Sequence, residues 1–354
     1  MKVLGIETSC DECAAAIVED GKKILSNVVA TQIPIHAVYK GVVPEIASRM
    51  HTEWINRVVQ EALDYASIEA KDVQAVAAAA HPGLLGSLLV GLNFAKAFAW
   101  ARNIPFVAAD HMLAHLYAPR LISIGNDQCE ENINERLDYP FLGLLVSGGH
   151  TIICRADNFD DITVLGTTID DAVGEAFDKV SKHYGFGYPG GAAIDKLAKA
   201  GNANVFNFPI PNLHKGDHRY DVSYSGLKTA VINQLEQFRA GNASPQAEKD
   251  RSEDIAASFQ KTAVEILLRS LFRAAEDTGL TTIVAGGGVA ANSCLRAALA
   301  QRQDLRCIFP PLDLCGDNGA MIAGLAYQYL ARGEQSPLTA TASARVESFK
   351  RRYP

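Results

Sequence analysis

Several things are scarce in this chain of 354 residues, and each scarcity excludes a class of protein. Cysteine is scarce: seven residues, at positions 10, 13, 129, 154, 294, 307 and 315, odd in number and scattered. That excludes a disulfide-stapled scaffold and makes a reducing cytoplasm the simplest expectation. Long apolar runs are missing. The most apolar stretch, 84–101, is interrupted by Gly86, Gly91, Asn93 and Lys96. It falls short of the about 18 clean residues of a spanning helix, so no membrane association is expected. The opening apolar run is cut off at Glu7, so no signal peptide is expected. Positive charge is in deficit, with 33 Lys and Arg against 40 Asp and Glu, a net of −7. This counts against a surface coated for nucleic acid and leaves room for a local basic groove. Two catalytic signatures are absent: no G-x-x-x-x-G-K-[ST] phosphate loop occurs, and no H-E-x-x-H zinc-protease helix.

What is present is an ordinary globular composition, 48% hydrophobic and 21% charged, long enough for two domains of roughly 150 residues. Short apolar runs alternate with helical patterns, which defines an α/β chain. Strands are predicted at 2–6 and 13–18 around a polar elbow, then at 73–79 and 105–109. Helices are predicted at 42–63, amphipathic, and at 84–101, apolar nearly all round and therefore buried. A polar stretch at 122–140 marks a candidate boundary, after which the pattern restarts. Strands at 141–146 and 151–154 flank Ser147-Gly148-Gly149-His150, echoing residues 3–18, so one hairpin is expected to occur twice. Helices are predicted at 170–184 and 252–277, the second with Ser252 as N-cap, then from Asn292 and over 319–330. Residues 201–221 read as a loop, 281–285 as a strand and 349–352 as a basic tail.

Several groups carry candidate chemistry. His111 and His115, four apart, share a face if the segment is helical and can then bind one metal; the alternative is two core histidines. Position 112 is Met, so the base of a zinc protease is lacking. His214 and His218 share the spacing but fall in the loop. Asp317 is either the N-cap of the last helix or the carboxylate that completes a two-imidazole site. Glycine elbows at 147–149, 188–191 and 286–288, with Glu7-Thr8-Ser9, are either plain turns or phosphate cradles. Asp171, Glu175 and Asp178 form an acidic stripe if helical. The lone Cys10-Asp11-Glu12-Cys13 has no second pair for zinc.

Taken together these residues resemble one family. The matching segments are Gly5 to Glu12, Gly41-Val42-Val43-Pro44-Glu45 with Ala47-Ser48-Arg49, His111 to His115, and Leu145 to Thr151. Asp170-Asp171 with Gly174 to Lys179, Tyr188 to Gly191, Ser223 to Thr229, and Gly287-Gly288-Val289 with Ala291-Asn292 also match. Over about residues 1–330 the chain is similar to the tRNA N(6)-adenosine threonylcarbamoyltransferases. The resemblance implies an actin/hexokinase/Hsp70-like (ASKHA) fold: two duplicated α/β domains around a central cleft, here 1–118 with 318–354, and 119–317. It implies His111, His115 and Asp317 as ligands of one divalent metal, iron or zinc. Leu145, Val146, Ser147, Gly148 and Gly149 would contact an adenylate, joined by Asp178, Gly191, Asp195 and Asn292. Asp11 or Glu12 is the expected base or orienting group. The implied reaction moves a threonylcarbamoyl group from threonylcarbamoyl-AMP to an adenosine beside the anticodon of tRNA. ATP or ADP binding is also implied, and so are an inactive paralogue of the same fold and a small P-loop ATPase as partners. Rival readings are a small-molecule kinase of the same superfamily, a metalloprotease and a non-catalytic nucleotide-binding subunit. The chain departs from the family's usual residues at His81 (Gly), Cys13 (Thr) and Gly316 (Thr).

Overall fold

The computed structural model describes all residues except 123–136, 214–215, 240–244, 347–348 and 352–354. His214, Cys129 and most of the polar stretch at 122–140 therefore lie outside the described residues. The chain divides into two compact units. Unit 1 comprises 1–139, 158–161 and 310–349; unit 2 comprises 140–157, 162–309 and 350–354.

Unit 1 is built on a five-stranded sheet. Its strands are β1 (Lys2–Glu7), β2 (Glu12–Glu19), β3 (Lys23–Thr31), β4 (Ala75–His81) and β5 (Phe106–Asp110), in the order β3-β2-β1-β4-β5. β1 and β2 are antiparallel, with Glu7 opposite Ala14, and β4 and β5 run parallel to β1. Val3, Leu4 and Ile6 on β1 are fully buried, each contributing roughly 1.5–3 kcal/mol of apolar transfer. One face is covered by α2 (Pro44–Tyr65) and α3 (Leu85–Arg102), through Ile55, Val58, Val59, Leu92 and Ala95. Pro44 starts α2, where its missing N–H costs nothing. A short α1 (Ile33–Ala37) precedes it, and α4 (His111–Tyr117) leaves β5 directly. α10 (Gly319–Ala331) lies against β1 and β2; a Cβ on Gly5 would meet the Gly319 carbonyl oxygen at 2.2 Å.

Unit 2 repeats this topology. Strands β6 (Phe141–Val146), β7 (Thr151–Ala156), β8 (Ile162–Thr167), β9 (Thr282–Gly286), β10 (Arg306–Ile308) and β11 (Phe349–Arg351) take the order β10-β9-β6-β7-β8-β11. β6 and β7 are antiparallel, and β9 and β10 run parallel to β6, as in unit 1. The duplicated hairpin expected from the sequence is thus present, and unit 2 repeats the five-strand order of unit 1 with β11 added beside β8. The helices are α5 (Val173–Tyr184), α6 (Gly190–Ala198), α7 (Ser225–Arg239), α8 (Pro245–Thr278) and α9 (Ser293–Ala300).

Four expectations need correction. α3 is not buried all round: Leu85, Leu89 and Trp100 are exposed, because the sheet covers only one side and an apolar circumference does not say which. α8 starts seven residues before Ser252, which is an interior residue; the polar turns ahead of the apolar stripe are helical too. α5 starts at Val173, so Asp171 precedes the helix and the acidic stripe does not form. The C-terminal basic segment is an edge strand over Phe349–Arg351. Among the described residues no helix is long and apolar enough to cross a membrane, and the six described cysteines are free.

Candidate metal centre and nucleotide loops

Asp110 closes β5 and caps α4: its Oδ1 accepts the N–H groups of Met112 (2.7 Å) and Leu113 (3.0 Å). The segment is therefore helical, and His111 and His115 lie on one face, edge to face, with ring centroids 4.6 Å apart at 84°. The third group arrives from the start of α10. There the N-cap is Asn318, whose Oδ1 accepts the Met321 N–H (3.0 Å) while its Nδ2 donates to the Gly316 carbonyl (2.9 Å). This removes the N-cap reading of Asp317. Its Oδ1 instead lies 3.1 Å from His115 Nε2 and 3.5 Å from His111 Nε2. The donor atoms of the three residues all fall within 4.8 Å of one another.

Glu7, at the end of β1, completes the arrangement. The His111 Nδ1–H donates to Glu7 Oε2 (2.9 Å), and Ser9 Oγ lies 3.2 Å from the same nitrogen. With Nδ1 held by Glu7, His111 turns Nε2 toward Asp317, and a carboxylate on the far ring nitrogen is the orientation that metal-binding histidines favour. Burial alone lowers the proton affinity of His111, but Glu7 and Asp317 outweigh it and hold the imidazole up, at about 9. Burial, reinforced by His111, keeps His115 low despite its hydrogen bond to Asp317. Burial and then the charges of Asp11 and Asp317 push Glu12 up to about 9. The spot thus attracts positive charge, whether as a proton or as a cation. Two imidazoles and one carboxylate with further positions open suit a divalent transition metal. Glu7 is the one member of this centre that sequence reasoning assigned elsewhere, to a phosphate elbow; its signal is a lone acid ending an apolar strand. Thr8 of that elbow faces α3, donating to the Ser87 carbonyl (2.9 Å) and accepting the Gly91 N–H (3.2 Å). His81 places Nδ1 3.2 Å from Oδ2 of Asp110, the residue that caps α4.

In unit 2, Leu145 and Val146 end β6, and Ser147 to His150 make a tight turn. Ser147 N–H donates to the His150 carbonyl (2.9 Å), and His150 N–H to Ser147 Oγ (3.1 Å). A Cβ on Gly148, Gly149 or Gly191 would meet nothing within 4 Å, so these backbones are open. Gly174 and Gly287 are the reverse. A Cβ there would lie 2.5 Å from the Ser147 carbonyl oxygen and 2.4 Å from that of Val146, and Gly287 has φ +93°. These two glycines let α5 and the turn after β9 approach the loop. Asp178 Oδ1 accepts the Gly190 N–H at the start of α6 (2.7 Å). Asp195 Oδ1 accepts Ser293 N–H (3.1 Å) and Oγ–H (2.7 Å) at the start of α9. Asn292 caps α9 through the Leu295 N–H (3.0 Å) and donates to Gln260 Oε1 (2.9 Å). Asp171 binds Lys179 (2.6 Å) and Lys228, which ties two of the recognised segments together. His218 pairs with Asp221 (2.8 Å).

Two units of one topology, with a His-His-Asp centre in the first and open glycine turns in the second, define an ASKHA-type α/β protein. Solved structures agree on that fold. Component A of the (R)-2-hydroxyglutaryl-CoA dehydratase of Acidaminococcus fermentans matches with TM-score 0.52 at 16% identity, over 94% of this chain and 99% of that one. HypF of T. kodakarensis matches with TM-score 0.57 at 15% identity, over 94% of this chain and 48% of that one. Sequence comparison is more specific. The profile of the TsaD family, tRNA N6-adenosine threonylcarbamoyltransferase, matches residues 23–324. A Treponema denticola protein of that name is 63% identical over 352 residues, 99% of each chain. A Treponema pallidum protein of the same name is 52% identical, over 99% of this chain and 95% of its own. The chain belongs to the TsaD family of tRNA N6-adenosine threonylcarbamoyltransferases, enzymes of tRNA modification.

Proposed function

We propose that the chain takes the threonylcarbamoyl group from threonylcarbamoyl-AMP and transfers it to the N6 amine of adenosine 37, beside the anticodon, in tRNAs reading codons that begin with A. The N6–carbonyl bond forms, the carbonyl–phosphate oxygen bond breaks, AMP leaves, and the amine loses a proton. The observation that carries this reading is the convergence of His111, His115 and Asp317, oriented by Glu7, in a chain of this family.

In this reading His111, His115 and Asp317 hold one divalent ion, Fe2+ or Zn2+. Such an ion supplies Lewis acidity toward the carbamoyl carbonyl or a phosphate oxygen. Asp11 is buried beside a Glu12 whose raised proton affinity keeps it neutral at pH 7. Asp11 or Glu12, the two carboxyl groups of this elbow, accepts the amine proton or orients the substrate. The open turn of Leu145 to Gly149, with Gly191, receives the adenylate. Asp178, Asp195 and Asn292 serve the nucleotide by holding the starts of α6 and α9, since their polar atoms already bind backbone there. With a net charge of −7, the tRNA path is proposed to be shared with an inactive paralogue and a small P-loop ATPase.

The test supplies tRNA transcript, threonine, bicarbonate, ATP and an adenylate-forming enzyme, with and without those partners, and measures modified adenosine by mass spectrometry. Product that depends on this chain is expected. Its absence with all partners present would overturn the reading.

A further inference from the structure

A chain of fully buried polar side chains runs beneath the elbow that carries Asp11 and Glu12. Gln32, His36 and His51 are each 0% exposed. The Val43 N–H lies 3.3 Å from His36 Nδ1, and His36 Nε2 lies 3.2 Å from Gln32 Oε1. Gln32 Nε2 is 3.3 Å from both the Ala47 carbonyl and His51 Nδ1, and His51 Nε2 is 2.9 Å from the Cys10 carbonyl. One step further, the Gln32 backbone N–H donates to the Asp11 carbonyl (3.0 Å).

The ends of this chain dictate every proton in it. A backbone N–H can only donate, so His36 Nδ1 must accept and its proton sits on Nε2. That proton makes Gln32 Oε1 an acceptor. The Gln32 amide then spends its two N–H bonds on the Ala47 carbonyl and His51 Nδ1. His51 in turn carries its proton on Nε2 and gives it to the Cys10 carbonyl, which can only accept. No donor or acceptor is left over, the condition under which a buried polar network makes a structure unique rather than weak. Both rings are neutral and each is held in one tautomer. A proton on either Nδ1 would face a donor, from Val43 or Gln32. Burial, which lowers the proton affinity of His51, works in the same direction.

We propose that His36, Gln32 and His51 are positioning residues for threonylcarbamoyl transfer. They form a one-way relay of neutral hydrogen bonds that fixes the Cys10 and Asp11 carbonyls and so aims the two carboxyl groups of the elbow. The inference rests on the proposed participation of Asp11 or Glu12. The relay touches neither the metal ligands nor the glycine loops, so its loss affects turnover and spares binding.

The test has two arms. In the first, the wild-type chain carrying 15N-labelled histidine is studied by NMR near pH 7, independently of activity. Both rings are expected as neutral Nε2–H tautomers; an imidazolium or an Nδ1–H tautomer at either would overturn the relay. In the second, His51→Leu and His51→Gln are assayed for transfer, bound metal and thermal stability. The glutamine amide can both accept from Gln32 and donate to Cys10, whereas leucine can do neither. His51→Leu should lose about 10- to 100-fold in kcat, the effect of a sub-ångström misplacement, with KM and metal content unchanged. His51→Gln should recover most of that loss. Full activity in a folded His51→Leu, or equal loss in both variants, would overturn the proposal. If His51→Leu does not fold, the tautomers alone decide. A wild-type chain that makes no product would count against the proposed function, while the tautomers would still judge the relay.

Discussion

The approach of α10 to the first hairpin gives the sharpest prediction. Gly319 begins the helix two residues after Asp317. A Cβ at this position would meet Ala16 N at 2.6 Å, Ala15 C at 2.7 Å and Gly5 O at 2.7 Å. All three are backbone atoms of the two central strands, paired on both sides and unable to yield. In Gly319→Ala the helix must back away, by about 0.8 Å to bring the nearest contact to 3.4 Å, at a cost of about 1–3 kcal/mol. The larger consequence is at the metal centre. Asp317 rides on the moving end, while His111 and His115 are anchored by Asp110 and β5. Ligand distances tolerate about ±0.2 Å, so the carboxylate falls out of range and affinity for a divalent ion should drop at least about 10-fold. Thermal unfolding gives the first quantity; Fe2+ and Zn2+ titration, with metal content per chain, gives the second. Unchanged metal affinity in a variant whose melting temperature has fallen would refute the link between this contact and the site. An unchanged melting temperature would refute the contact itself.

Further expectations concern the site and its supports. Asp317→Asn should abolish stoichiometric metal binding and product formation while leaving the fold intact, which metal analysis and nucleoside mass spectrometry will check. Glu7→Gln should weaken metal binding by about 10- to 100-fold, because the charge that orients and polarises His111 is lost; direct titration measures it. Asp170 accepts from Ser223 Oγ (2.5 Å), Ser225 Oγ (2.7 Å) and the Tyr224 N–H (2.8 Å). Burial pushes its carboxyl up, but these bonds prevail and hold it below the ordinary value. Its folded form therefore binds the proton less tightly than its unfolded form. The stabilisation, about 1 kcal/mol for so exposed a group, is complete above about pH 4 and fades as pH falls through the folded pKa. The stability gap between wild type and Asp170→Asn should close in acid; a gap constant from pH 7 to pH 2 would contradict this.

Sequence alone determined the features that follow from local periodicity and from motif chemistry. The hairpins at 2–18 and 141–154, the helix at 42–63 and the recurrence of one unit were legible because apolar alternation and glycine elbows are local signals. The His111–His115 pair was legible because its spacing has meaning on a helix, and Asp110 makes that helix. Other features had no local signal. β3 and β8 have mixed burial patterns and are strands because the hairpins beside them offer free edges. Asp171 looked helical but is drawn out by Lys179 and Lys228, the second lying 57 residues away. The role of Asp317 could not be read from its position beside a helix start, since Asp317 and Asn318 can each cap. The tertiary structure gave the cap to Asn318 and turned Asp317 toward two imidazoles 202 and 206 residues distant. Glu7 joined that centre in the same way, over a separation of 104 residues. The physical reason is one of range. Backbone periodicity and capping act over a few residues, whereas a metal centre and a tautomer-defining relay depend on which atoms the packed sheets bring within about 3 Å.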